Sequence, residues 1–172
     1  MSRDKYIFLD RDGTIIENVP YLNNAKKVKF VPKLIETLIY LQSLKYRFGI
    51  ISNQSGVGRG LISYKQMLEV NSLIVEILAK HNIYLDFYLC CLHTPDEFCH
   101  CRKPKIGLIS HLSNNLNIDY SNSFMVGDNT SDCIFAKNLG LKSILITADK
   151  DVPKLNFENI FILRFCDLMQ IF

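Results

Sequence analysis

Apolar residues follow two patterns along this chain. Tyr6-Ile7-Phe8-Leu9 is a short run without polar interruption, and Phe48–Ile51, Phe87–Leu92, Ser123–Val126 and Ser143–Ile146 are similar, with Ile160–Leu163 a sixth candidate. Runs of this length, apolar on both faces, predict strands buried on both sides of a parallel sheet. Between them the spacing becomes helical. Leu34, Ile35, Leu38, Ile39 and Leu41 form a stripe within Pro32–Lys45, and Met67, Val70, Leu73, Ile74, Ile77 and Leu78 a broader one within Ser63–His81. Pro104–Leu116 predicts another helix and Ser131–Leu139 a fourth, closed by Gly140, since proline suits a helix start and glycine a helix end. Alternating strands and helices imply an α/β fold: three layers, Rossmann-like, with a central parallel sheet and right-handed crossovers. The stripes themselves are core, not a cofactor surface.

Composition narrows the function classes. The 172 residues are 48% hydrophobic and 22% charged, as expected of one globular domain spanning residues 1–172. A net charge of +3, dispersed along the chain, makes no case for nucleic acid but suits a phosphorylated substrate. No leader pattern precedes the first strand and no apolar run approaches membrane-spanning length, so the expectation is a cytoplasmic protein without membrane association. Six cysteines, four of them within residues 90–101, then read as thiols or metal ligands instead of a disulfide framework.

Four strand ends carry the candidate chemistry. The first delivers Asp10-Arg11-Asp12-Gly13-Thr14. Asp10 and Asp12 share a face of an extended segment and can approach one electrophilic centre, one attacking while the other moves a proton; the alternative is an ordinary polar turn. The second is Ser52-Asn53-Gln54-Ser55-Gly56-Val57-Gly58-Arg59-Gly60, suited either to hydrogen-bonding a phosphoryl oxygen or to a glycine-rich turn with a helix cap. The third is Cys101-Arg102-Lys103-Pro104-Lys105. Lys103 can neutralise charge on a transferring phosphoryl group, Arg102 can form forked hydrogen bonds to a second phosphate or the substrate body, and Lys105 is expected to be solvated. The fourth, Gly127-Asp128-Asn129-Thr130-Ser131-Asp132, offers Asp128 as a Mg²⁺ ligand beside Asp10 and the carbonyl of Asp12. Asp132 either supports the site from behind or caps the following helix.

Cys91-Leu92-His93 and Cys99-His100-Cys101 are two ligand pairs bracketing a five-residue loop. Four such ligands close a tetrahedron around Zn²⁺ with no open position, which makes the site structural. Cys90 and His100 compete for membership. Alternate residues face alike on extended chain, and this favours Cys91, His93, Cys99 and Cys101. Cys133 and Cys166 read as small buried hydrophobes.

These strings, from Lys5 to Ile146, resemble the haloacid dehalogenase superfamily, in particular its histidinol-phosphatase and D-glycero-D-manno-heptose-1,7-bisphosphate 7-phosphatase branch. The resemblance implies a capless fold whose zinc loop shapes one side of the active site, fitting the short interval between Asp12 and Ser52. It implies two-step phosphoryl transfer with Asp10 as nucleophile, Asp12 as proton carrier, and Mg²⁺, Lys103 and Ser52 holding charge. Asn18-Val19-Pro20-Tyr21 and the Asn53 to Gly60 string are similar to the heptose bisphosphatase loops, implying substrate contacts from Asn18, Tyr21, Asn53, Gln54, Ser55, Arg59 and Arg102. Asn129 departs from the lysine usual in that branch, which bears on recognition and charge balance. The expected protein is a monomer that hydrolyses the 7-phosphate of a heptose bisphosphate in surface-glycan precursor synthesis, without a nucleic-acid partner. Histidinol phosphate and other small phosphate esters are the alternative substrates, a nucleic-acid 3′-phosphatase is a further enzyme class, and a catalytically silent zinc-stabilised binding module is the rival from outside enzymology.

Overall fold

The computed structural model describes residues 3–112, 116–147, 159–162 and 164–172. Six parallel strands form one sheet: β1 (Lys5–Leu9), β2 (Tyr46–Asn53), β3 (Leu85–Cys91), β4 (Phe124–Gly127), β5 (Lys142–Ile146) and β6 (Asn159–Ile162), in the spatial order β3-β2-β1-β4-β5-β6. The chain leaves β1 toward β2 and β3, then returns to the other side of β1 as β4. The order therefore reverses beside β1, and the crevice past the carboxyl ends of β1 and β4 is where a sheet of this kind receives ligands. Asp10 and Asp128 follow those two strands directly.

The continuous apolar runs are explained by burial on both faces. Tyr6, Ile7, Phe8 and Leu9 are all fully buried. On one face β1 and β2 pack against α1 (Leu34–Ser43) through Leu34, Leu38 and Leu41, against α3 (Tyr64–Lys80) through Val70, Ile74 and Leu78, and against Phe165 and Leu168 near the carboxyl end. On the other face Tyr6, Phe8, Phe87 and Met125 meet Phe135 and Ala136 of α4 (Thr130–Leu139), with Leu108 and Ile118. A short helix, α2 (Ser55–Gly58), follows β2. Helix starts and stops have local causes. Ser63 and Gln66 form a reciprocal capping box at the start of α3, and Gly140, at φ 78°, ends α4 where glycine was expected. Between β1 and β2 lie only a 3₁₀ turn (Ala25–Lys27) and α1, so no cap domain is inserted there.

One expected element is different. Pro104–Leu116 is not an α-helix: its described part holds a 3₁₀ segment at Gly107–His111, and residues 113–115 lie outside the described residues. The backbone after Pro104 is committed to the cysteine loop. Gly107 N–H donates to the His100 carbonyl at 3.0 Å and Lys105 N–H to that of Arg102 at 2.9 Å. Lys105 is exposed, as expected, and its ammonium also donates to the Phe98 and Cys99 carbonyls at 3.1 and 2.7 Å. Ile39 is 48% exposed instead of completing its stripe, and Leu163 of the expected sixth strand lies outside the described residues.

Phe87 sits among Phe8 and Tyr6 with ring centroids 5.3 and 5.8 Å away, directly opposite Gly49 in the register of β2 with β3. A methyl group at Gly49 would occupy the space of the Phe87 ring. Gly49→Ala is expected to cost about 1–3 kcal/mol by overpacking, read as a lower urea midpoint at unchanged slope.

Candidate active site

Lys103 lies at the centre of the crevice. Its ammonium is buried and donates to Asp10 Oδ1 at 2.7 Å and to the Ile51 carbonyl at 2.6 Å, with Asp132 Oδ1 at 2.7 Å. Three oxygens thus surround the charge, those of Asp10, just past β1, and Ile51 of β2 by hydrogen bonds and that of Asp132 of α4 as an ion pair. Burial opposes the charge, but the two carboxylates outweigh it and hold the lysine protonated. The Asn53 side chain grips the backbone of the same residue, accepting from Lys103 N–H at 3.0 Å and donating to its carbonyl at 3.1 Å. The end of β2 therefore positions the third motif.

Asp12 has its own cation, which the sequence reading missed. Arg11, only 1% exposed, turns its guanidinium onto the neighbouring carboxylate, with Nη2 2.9 Å from Asp12 Oδ2 and Nε donating to it at 3.1 Å. Gln54 completes the grip: Nε2 donates to Asp12 Oδ2 and to Ser52 Oγ, both at 2.8 Å, while Oε1 accepts from Arg11 Nη2 at 2.7 Å. The amide of Gln54 is thereby engaged by protein partners and orients Asp12 and Ser52. An arginine between two aspartates at a strand end is the available signal in the sequence.

The remaining acids crowd together. Oxygens of Asp10, Asp128 and Asp132 lie within 4.8 Å of one another. Burial and then the charges of Asp10 and Asp132 push Asp128 up to about 7. Burial likewise raises Asp132 to about 6 against the pull of Lys103. This excess of negative charge is what a divalent cation would neutralise, and Asp10 and Asp128 supply the hard oxygen donors magnesium takes. Two glycines make room: at Gly13, with φ +75°, a Cβ would collide with the Asp128 carboxylate, and at Gly127 with that of Asp132. Asp132 also accepts from Asn129 N–H at 3.1 Å, while Asn129 Oδ1 accepts from Ser131 N–H at 3.0 Å. So Asp132 caps α4 and pairs with Lys103 together, and Asn129 is a helix cap.

Beside Lys103 the cysteine loop brings Cys91, His93, Cys99 and Cys101 together. Their sulfur to sulfur separations are 3.3, 3.5 and 3.7 Å, and His93 Nδ1 lies 3.2 and 3.6 Å from Cys101 and Cys91. Sulfurs held by one tetrahedral Zn²⁺ would be about 3.8 Å apart, so the donor set fits that ion. Slight burial raises Cys99, but N–H groups of Arg102 and Cys101 aimed at its sulfur bring it down to about 7. Cys90 faces away, toward Asn71 at 3.7 Å, and His100 is exposed.

A cavity of about 310 Å³ opens over the acids, lined by Asp10, Asp12, Asn18, Asn53, Arg102, Lys103, Asp128, Asn129, Ser131 and Asp132. Arg102 Nη1 is buried there without a protein partner. A smaller space of about 200 Å³ shares Asp12, Asn18 and Asn53 and adds Tyr21, Gln54 and Ser55. Arg59 lines neither; it closes α2 from an exposed position.

With this geometry in view, the profile of the family described as Polynucleotide kinase 3 phosphatase matches residues 5–151. A D-glycero-beta-D-manno-heptose-1,7-bisphosphate 7-phosphatase of Pasteurella multocida is 36% identical over 157 residues, covering 87% of this chain and 85% of that protein. The chain belongs to this phosphatase family, within the haloacid dehalogenase superfamily. The phosphatase is also 37% identical over 144 residues to the histidine biosynthesis bifunctional protein HisB of Blochmanniella floridana, covering 82% of this chain but 40% of that protein. The crystal structure of D,D-heptose 1,7-bisphosphate phosphatase from B. bronchiseptica, complexed with magnesium and phosphate, superposes with a TM-score of 0.84 over 97% of both chains at 22% identity. At that identity the likeness is one of fold.

The folded phosphatase binds a proton at Asp128 more tightly than the unfolded chain does. In chelator, stability from this group is therefore lost as pH rises from about 3.8 through about 7. The melting temperature should fall across that window, and Asp128→Asn should flatten the fall.

Proposed function

We propose that this phosphatase hydrolyses the 7-phosphate of D-glycero-D-manno-heptose 1,7-bisphosphate, in heptose precursor synthesis for lipopolysaccharide or another surface glycan, as a cytoplasmic monomer. The observation that carries the reading is that Asp10, held by Lys103, and Asp12, held by Arg11, share one small cavity with the unpartnered Arg102. A phosphorylated sugar fits such a space, with the nucleophile at its floor and a guanidinium available for a second anionic or polar group. The relatives named as heptose bisphosphatases support this choice, and the wide coverage of both chains in the Pasteurella multocida comparison favours it over the bifunctional relative.

In the mechanism, Asp10 attacks phosphorus in line and the bond to the leaving oxygen breaks. Asp12 protonates the departing alkoxide and then takes a proton from the water that cleaves the aspartyl phosphate. Ser52 donates to a phosphoryl oxygen, while Lys103 offsets charge and keeps Asp10 aimed. Asp10, Asp128 and the Asp12 carbonyl would hold Mg²⁺, which when bound would stabilise charge on the phosphoryl oxygens. Zn²⁺ held by Cys91, His93, Cys99 and Cys101 would stiffen the loop that carries Arg102 and Lys103. Asn18 and Tyr21 flank the sugar. Asn129 leaves this rim one cation short of the usual lysine, which shifts recognition of the remote phosphate toward Arg102.

Histidinol phosphate is the second reading, favoured by the resemblance to the bifunctional histidine biosynthesis protein. Catalytic efficiencies over heptose bisphosphate, histidinol phosphate, other sugar phosphates and a 3′-phosphorylated oligonucleotide separate these. The heptose ester should lead, and a large preference for histidinol phosphate or the oligonucleotide would reject the assignment. Asp10→Asn should lower phosphate release by about a thousandfold or more, with fold and zinc content intact. Unchanged turnover would reject Asp10 as the nucleophile, and a wild-type protein that turns over no ester of the panel would support the silent binding module. Selective loss of zinc should lower the melting temperature, whereas withdrawal of magnesium should stop turnover without unfolding.

A further inference from the structure

The grip of Arg11 on Asp12 does not end at Arg11. Its remaining terminal nitrogen, Nη1, donates to Asn71 Oδ1 at 2.8 Å, and the Tyr88 hydroxyl donates to the same oxygen at 2.9 Å. Asn71 lies on α3 and Tyr88 on β3, neither of which lines the cavity over the acids. On the sheet-facing side of α3 the neighbours of Asn71 are Met67, Val70, Ile74 and Leu78, all buried. An amide in that stripe is costly unless it is hydrogen-bonded. Here two donors converge on one carbonyl oxygen, which also determines the orientation of the amide. Burial pushes the Tyr88 phenol well above its usual range, so its hydroxyl remains a donor.

Among the described contacts, Asn71 Oδ1 is the acceptor for Nη1, while Nε and Nη2 face Asp12 and Gln54. A planar guanidinium held at one edge by Asn71 and at the other by Gln54 has one rotational setting left, and that setting places its donors on Asp12. We propose that Asn71 and Tyr88 are positioning residues for proton transfer by Asp12, acting through Arg11 without touching the substrate. This deepens the mechanism above and rests on the reading that Asp12 delivers the proton to the leaving oxygen. As the phosphorus bond to that oxygen breaks and the bond to Asp10 forms, the proton on the Asp12 carboxyl passes to the alkoxide, leaving Asp12 a carboxylate. A carboxyl displaced from that line transfers the proton poorly.

The test uses leaving-group chemistry. An alkyl phosphate needs its leaving oxygen protonated, whereas p-nitrophenyl phosphate releases a stable anion and does not. Values of kcat/KM report the step in which the leaving group departs. Asn71→Ala should lower kcat/KM for the best alkyl ester of the panel by about tenfold or more, and for p-nitrophenyl phosphate by less than about threefold. Tyr88→Phe keeps the ring packing and removes one hydrogen bond, so it should show the same selectivity at smaller size; it decides the matter alone where Asn71→Ala does not fold. Equal losses on both esters, or no loss in folded variants, would overturn the positioning role while leaving the phosphatase reading intact. A wild-type protein that hydrolyses neither ester would reject that reading and this one with it.

Discussion

Everything at this site depends on one buried ammonium group. Lys103 is 3% exposed and faces Asp10, Asp132 and the Ile51 carbonyl. Because it is out of water, its charge is tolerable only while all three acceptors are present, and removing any partner leaves an uncompensated polar group at low dielectric. The same contacts join the ends of β1 and β2 to the start of α4. Asn53 holds the backbone of Lys103, and the cysteine loop brings the residue in from the side. The loop that gathers four metal-type ligands is thus mechanically continuous with the lysine that holds Asp10.

The two aspartates of the first motif are separated in role by the cations they meet. Asp10 faces Lys103 and the other acids, whereas Asp12 faces Arg11 and Gln54. Their neighbours on the rim, Asp128 and Asp132, crowd against Asp10, and Asp128 is pushed up to about 7. The site as built from protein alone is therefore short of positive charge at one corner, beside Asp10 and Asp128. A doubly charged cation there would relieve the excess more effectively than another side chain, which would fill the cavity the substrate needs.

The clearest signals in the chain were those with a local cause. Uninterrupted apolar runs correspond to strands buried on both faces, and the helical stripes of α1 and α3 correspond to their sheet-facing sides. Gly140 ends α4 because a left-handed residue is needed there. The alternation rule separated Cys91 from Cys90, which points to Asn71 instead. Other features had no local signal. Pro104 is followed by backbone that bonds to the cysteine loop, so the expected helix gives way to a 3₁₀ segment. The contacts of Gln54 with Arg11 and Asp12 have no local signal because those residues are some forty positions away in sequence.

What this sequence determined by itself was the layered α/β architecture, the strand ends that carry the acids, and the cysteine and histidine positions that the fold gathers. These follow from period, turn chemistry and spacing, all properties of neighbours along the chain. Only the tertiary structure decided that Arg11 belongs to Asp12, that Asn53 and Gln54 serve the protein before any ligand, and that Asn71 and Tyr88 reach the acid from another element. Arg11 and Asp12 are adjacent, but what aims the one at the other, and the remaining contacts, depend on which polar groups meet when distant segments are buried together. In a dry interior each such group must find a partner, and the partner's position in sequence is irrelevant to that requirement.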